Sequence, residues 1–299
     1  MTNALKEELD CSWMRKNQDF TFDQKDLVRV SRIHQRWDSV ISNILLQLNL
    51  SSSYEQDNTQ DTSKRWISTL MILHSHPDRH YHTLAHLEEM FGYLDIILFK
   101  DSQKSDIQKD DKWSLLMTAT LLSVFFHDAI YDAKSGTNEE DSVSLFQTFM
   151  AELLLCTSST SNDNRIDKWP GSIIVERFIM ATKSHDTKDL DNTTDTDELF
   201  FLQLFLDADM SVLGKDPEAY DAYASMIRKE YIHVPHQVYC DKRSDILQSF
   251  VGDLEDKGKS KSVYLSKDMR DALETQAISN LRREISSLRS GIIPNSYTD

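Results

Sequence analysis

The chain has 299 residues, 39% of them apolar and 27% charged, which is enough to bury a substantial core and suits a globular protein rather than a disordered or fibrous one. Its 49 acidic residues against 33 basic ones give a net charge of −16, with no Lys/Arg run to grip a phosphate backbone, so no polymeric nucleic-acid partner is expected. Only seven glycines and five prolines interrupt it, which argues against a turn-rich β fold and for long helices.

After an N-terminal tail over 1–25, residues 26–48 carry apolar side chains at helical spacing, with Val28, Ile33, Trp37, Ile41 and Leu45 as the stripe. "NLSSSYEQDNTQDTSK" reads as a polar break. A second helix is expected from about Lys64 to Ser75, ended by the "SHPDRHYH" turn, where Pro77 cannot continue it. "LAHLEEMFGYLDIILF" follows, with Leu87, Met90, Leu94 and Ile97 on its inward face. His86 lies four positions before Met90 and so points inward with that face.

Beyond the charged linker "DSQKSDIQKDDK", the segment "WSLLMTATLLSVFFHDAIYD" is apolar nearly all round, the mark of a central helix, and it ends in the polar pair His127-Asp128. "SGTNEEDSVSLFQTFMAELLLC" opens with turn chemistry and then acidic residues, as a helix N-terminus does. Further helices are expected at 171–184, 197–207, 216–230, 235–255 and 267–289, with irregular loops at 156–170 and 186–197 and an exposed "DKGKSK" break. The pattern predicts an all-α protein, one domain over 26–290, with a short C-terminal tail at 291–299.

The N-terminus lacks a basic region followed by an apolar core, so no signal peptide is expected. The longest apolar runs fall far short of the ~20 residues that span a bilayer, so no membrane association is expected. Cys11, Cys156 and Cys240 are scattered and odd in number, which suits idle thiols in a reducing, cytoplasmic setting.

Three features raise the prospect of a metal site. His86 faces inward, His127-Asp128 ends the most apolar helix, and Asp209 follows the apolar run "FFLQLFL". Imidazole and carboxylate suit divalent ions, and both are costly to bury alone. Each also has a plainer reading: a hydrogen-bonded core histidine, a chance dipeptide, or an aspartate that caps the helix after it. Asp207 competes with Asp209 as the last ligand.

The order His86…His127-Asp128…Asp209 resembles the HD superfamily of metal-dependent phosphohydrolases. "YHTLAHLEEM" is similar to the YHNxxHxxD/E motif of its cyclic-nucleotide phosphodiesterase branch. "RHYHTLAHL", "FFHDAIYD", "NEEDS", "ATKSH", "LDADMSVLG", "IRKEY" and "NLRREI" together look like a group of predicted, uncharacterised HD phosphohydrolases. The likeness runs from about Trp37 to Leu288 and implies a single compact helical bundle of HD-domain type.

Carried over residue by residue, it implies that His86, His127, Asp128 and Asp209 bind a divalent metal (Mn, Fe, Zn, Co or Mg), with Asp128 bridging to a second ion if there is one. His82 matches the histidine that protonates the leaving oxygen. His185 is a candidate second-metal ligand or substrate contact, Glu139 or Glu140 a carboxylate that orients water or a ligand, and Arg79 a phosphate clamp. Plainer readings remain here too: His82 at the surface, Glu139 and Glu140 offsetting a helix dipole, Arg79 in an ordinary ion pair. Thr83 stands where the phosphodiesterase branch has Asn, and no purine-clamping glutamine is identified, so cyclic nucleotides are not the expected substrates.

The expected function is hydrolysis of a small phosphate ester or nucleotide by a metal-activated water. Two alternatives keep the fold. One uses the same metal for lyase or oxygenase chemistry, and the other is a non-catalytic nucleotide-binding module. A purely structural helical protein is disfavoured by the buried carboxylates.

Overall fold

The computed structural model describes residues 24–49, 53–104, 111–156, 169–187, 195–252 and 262–293, and among them every regular element is helical, giving an all-α protein. In chain order these are α1 (Gln24–Gln47), α2 (Ser53–His74), α3 (Leu84–Lys104), α4 (Asp111–Phe126), α5 (Asn138–Cys156), α6 (Gly171–Ala181), α7 (Thr196–Asp209), a 3-10 turn (Met210–Gly214), α8 (Pro217–Glu230), α9 (His236–Val251) and α10 (Lys267–Arg289). Residues 1–23 of the expected N-terminal tail (1–25) and 294–299 of the expected C-terminal tail (291–299) lie outside the described residues, as do Cys11, "DKGKSK" and most of the two irregular loops. Among the described residues no helix is long and apolar enough to cross a membrane.

The chain divides into two compact units. The first comprises Met1–Ser75, Lys109–Tyr131 and Gly136–Met180. In it α4 packs on α1 and α5, and α2 packs on α1 and α5. As expected of an all-round apolar helix, α4 is buried at Leu116 and from Thr118 to Phe126. Its end is fixed by an aromatic cluster. Trp37 meets Phe125 edge-on at 5.1 Å, Phe149 stacks on Phe126 at 5.3 Å, and Trp66 meets Phe149 at 5.5 Å. Such pairs add roughly 1 kcal/mol each beyond the area they bury. The α1 stripe is rotated from the expected one. Ile33, Trp37, Val40, Ile41 and Ile44 form its core, while Val28 is exposed and Leu45 only half-buried.

Helix α2 begins eleven residues before the expected Lys64. Polar side chains there read as a break, yet Thr59, Thr62 and Ser63 are buried because they are bonded. Ser63 accepts the Trp37 indole N–H at 2.8 Å, and the Thr62 hydroxyl sits 3.1 Å from the Cys156 sulfur. Likewise α3 runs into the expected linker as far as Lys104.

The second unit comprises His76–Gln108, Asp132–Ser135 and Ala181–Asp299. Within it α3 packs on α7, α9 on α10, and the 3-10 turn on α7, α8 and α10. The turn is anchored from α10 by Asn280, whose amide donates to the carbonyls of Leu213 (2.9 Å) and Lys215 (2.8 Å). The Tyr264 hydroxyl donates to the Met210 carbonyl at 3.3 Å. Gly214 is required at the turn's end, because a Cβ there would lie 2.5 Å from the Leu273 Cβ and 2.8 Å from the Tyr264 hydroxyl. These contacts fix the chain immediately after Asp209.

Candidate metal centre

The two aspartates of "LDADMS" do different work. Two positions apart on a helix is about 200° of rotation, so Asp207 and Asp209 leave α7 on opposite sides. Asp207 is buried and accepts the backbone N–H groups of Leu265 and Ser266, both at 2.7 Å, tying α7 to the start of α10. Burial pushes its carboxyl up to about 6, in spite of those hydrogen bonds. Asp209 makes no capping hydrogen bond to the 3-10 turn that follows, so the capping reading does not hold. Its carboxylate instead has a histidine ring on each oxygen: His86 Nε2 lies 3.1 Å from Oδ1, and His185 Nε2 lies 3.0 Å from Oδ2.

His86 is held in the first turn of α3, almost wholly buried at 1% side-chain exposure. His185 arrives from the turn after α6. Its N–H donates to the Ala181 carbonyl at 2.9 Å, and its backbone turns left-handed, with φ +49°. A histidine in that region costs on the order of 1 kcal/mol or more, a strain that recurs at functional sites. The turn is what brings its ring onto Asp209.

In the first unit, His127 continues α4 by donating its N–H to the Ser123 carbonyl at 2.9 Å. Its Nδ1 lies 3.1 Å from the Val124 carbonyl, so Nδ1 carries the ring proton. Nε2 then turns to Asp128, 3.1 Å from Oδ2. Two lone-pair atoms at that distance call for a second ring proton or a shared cation. The loop behind them is held by Ser142 of α5, which accepts the Ile130 N–H at 3.1 Å and donates to the Ile130 carbonyl at 3.3 Å.

His86, His127 and Asp209 form a group that could hold a metal ion. Two imidazole nitrogens and a carboxylate oxygen are a donor set that suits borderline divalent ions. A ring whose other nitrogen is committed to a carbonyl, as in His127, has the usual arrangement of a metal-ligating histidine.

Glu230 is a further residue of this region, with no role expected from the sequence. This carboxylate, with a fully buried side chain, lies 2.7 Å from His82 Nδ1 through Oε2. Its other oxygen accepts three consecutive backbone N–H groups, from His80 (2.7 Å), Tyr81 (2.7 Å) and His82 (3.2 Å). Burial alone would raise its pKa. The hydrogen bond and charge of His82 and the backbone donors outweigh that and lower it to about 2. A carboxylate that stays ionised fixes the His82 proton on Nδ1 and leaves Nε2 as the nitrogen that exchanges protons. Glu230 is the last residue of α8 and lies in "IRKEY", and the signal that could have found it is spacing: Tyr220, Ile227 and Glu230 are buried at helical intervals on one face of α8.

The ring centroids of His82 and His86 are 6.0 Å apart, and Tyr81 lies beside both, at 5.1 and 4.8 Å. Arg79 is buried and donates through Nη1 to the His82 carbonyl at 3.2 Å, bracing the same loop. Glu139 and Glu140 lie in the first turn of α5, the former half-buried and the latter exposed. No family model, curated protein or solved structure matches the chain.

Proposed function

We propose that the chain is a phosphohydrolase of the HD type, acting on a small phosphate ester or nucleotide in the cytoplasm, with no nucleic-acid polymer or membrane as partner. One observation supports it above the rest: the ring of His86, a histidine of the metal-binding group, lies 6.0 Å from that of a second histidine, His82, whose protonation is governed by Glu230. In this reading His86, His127 and Asp209 hold a divalent ion, with Asp128 as a further ligand. A bound divalent ion would supply Lewis acidity, acidifying water and drawing charge off a phosphoryl oxygen, which also offsets the −16 net charge.

The remaining chemistry belongs to the chain's own side chains. Glu230 holds the His82 Nδ1 proton and keeps Nε2 for the leaving oxygen, which takes a proton there as its bond to phosphorus breaks. Asp209 orients the rings of His86 and His185. His185 and Arg79 lie on the substrate side of this scheme, with Arg79 also bracing the His82 loop. Glu139 and Glu140 act as carboxylates that orient water or a ligand. The thiols Cys156 and Cys240, both unpaired, are consistent with a reducing setting.

The test is to load the protein with Mn²⁺, Co²⁺, Zn²⁺, Fe²⁺ or Mg²⁺ and to measure phosphate release from nucleotides and small esters. His82→Ala should retain the metal and lose about 10²-fold or more in kcat. The proposal fails if no metal-loaded form releases phosphate, or if His127→Ala hydrolyses as fast as the wild-type chain.

A further inference from the structure

Helix α9 carries a half-buried cation, Arg243, and α10 a buried anion, Glu284. Arg243 is 12% exposed and Glu284 2%, and the Arg243 Nε donates to Glu284 Oε1 at 3.1 Å. Both residues also bond to one further helix, α8. Tyr220 of α8 donates its hydroxyl to Glu284 Oε2, and Arg243 Nη2 donates to the Tyr223 hydroxyl at 3.3 Å. The Arg243 guanidinium also lies over the Tyr223 ring, 5.5 Å from its centroid.

A buried ion pair is a poor way to hold two helices together, since apolar residues of similar volume do as well or better. What it offers is direction. Tyr220, Tyr223 and Glu230 stand at i, i+3 and i+10, one inward face of α8, so holding the two hydroxyls fixes the helix's rotation at the face that ends in Glu230. Tyr223 in turn meets Tyr81 edge-on at 4.7 Å, and Tyr81 packs against the His82 and His86 rings. A carboxylate roughly 6 Å from a helix axis moves about 1 Å for every ~10° of rotation, a displacement that can cost about 10²-fold in rate.

We infer that the Arg243–Glu284 pair is a positioning element that sets the Glu230–His82 contact through Tyr220 and Tyr223, which rests on the proposed role of His82. The pair touches none of the reacting groups. It acts on the angle of α8 and on the Tyr81 ring, so its removal alters how His82 holds its proton and leaves the metal-binding group in place.

The test uses two variants of the full chain, Arg243→Met/Glu284→Leu, which replaces both charges at once, and Tyr223→Phe, which removes one hydroxyl and keeps the ring. Long-range ¹H–¹⁵N correlation spectra of His82 report the Nδ1–H bond to Glu230. Both variants are expected to lose the bonded Nδ1–H signature in part, with retained metal content. In a chain that hydrolyses phosphate they should also lower kcat about tenfold or more with KM changed less than twofold. An unchanged His82 spectrum in Tyr223→Phe, or in a folded double variant, overturns the inference. That readout needs no turnover, so a protein with no hydrolase activity would defeat the proposed function and still decide this point.

Discussion

Asp207 and Asp209 are separated by a single residue and face opposite duties: the first accepts the Leu265 and Ser266 N–H groups, and the second holds the His86 and His185 rings. The division predicts a double dissociation. Asp207→Ala leaves two backbone donors without their acceptor and should destabilise the fold by about 1–3 kcal/mol with metal content retained. Asp209→Ala should change apo-protein stability by less than about 1 kcal/mol and weaken metal binding at least about tenfold. Thermal melts and metal analysis on the same samples check both.

Glu230 makes acid sensitivity a property of the His82 loop. Its pKa is lowered from 4.5 to about 2 on folding, so its contribution is fully present above about pH 5 and lost as the pH falls from there through 2. The shift corresponds to roughly 3 kcal/mol. Asp207 runs the other way. Its pKa is raised to about 6, so protonation favours the folded chain, and the cost of its charge grows as the pH rises from about 4 to 6. Denaturant melts of Glu230→Gln should show a deficit of a few kcal/mol at pH 7 that shrinks steadily toward pH 2–3. A deficit independent of pH would contradict the assignment.

Gly214→Ala should destabilise by about 1–3 kcal/mol, since the added carbon meets the Leu273 Cβ at 2.5 Å against a well-packed α10. The displaced turn begins one residue after Asp209, so metal affinity should fall as well. Differential melts with and without Mn²⁺ separate the two effects.

Ser142→Ala removes both hydrogen bonds to Ile130 and should cost about 1–3 kcal/mol. Faster amide exchange at Ala129 and Ile130 than in the wild-type chain would locate the loosening in the loop after His127-Asp128.

Much of this was legible from the chain alone, because helical periodicity is a local signal. The apolar wrap of α4 and the starts of α6, α8, α9 and α10 follow from spacing and capping residues, and His86 pointed inward by its distance from Met90. The early start of α2 was hidden because Thr62 and Ser63 are satisfied by partners far along the chain, Cys156 and Trp37. Glu230 was missed for a related reason: spacing puts it on the buried face of α8, but the partner that gives it a role, His82, lies 148 positions away. The choice between Asp207 and Asp209 needed Leu265 and Ser266, and the left-handed turn at His185 follows from no composition rule.

The most direct measurement is metal retention by the purified chain and its single variants. After loading with Mn²⁺ and desalting, the wild-type protein should keep a stoichiometric divalent ion, and His86→Ala, His127→Ala and Asp209→Ala should each bind at least about tenfold more weakly while His82→Ala does not. A wild-type chain that holds no ion, or His86, His127 and Asp209 variants that bind as tightly as it does, would contradict the metal centre.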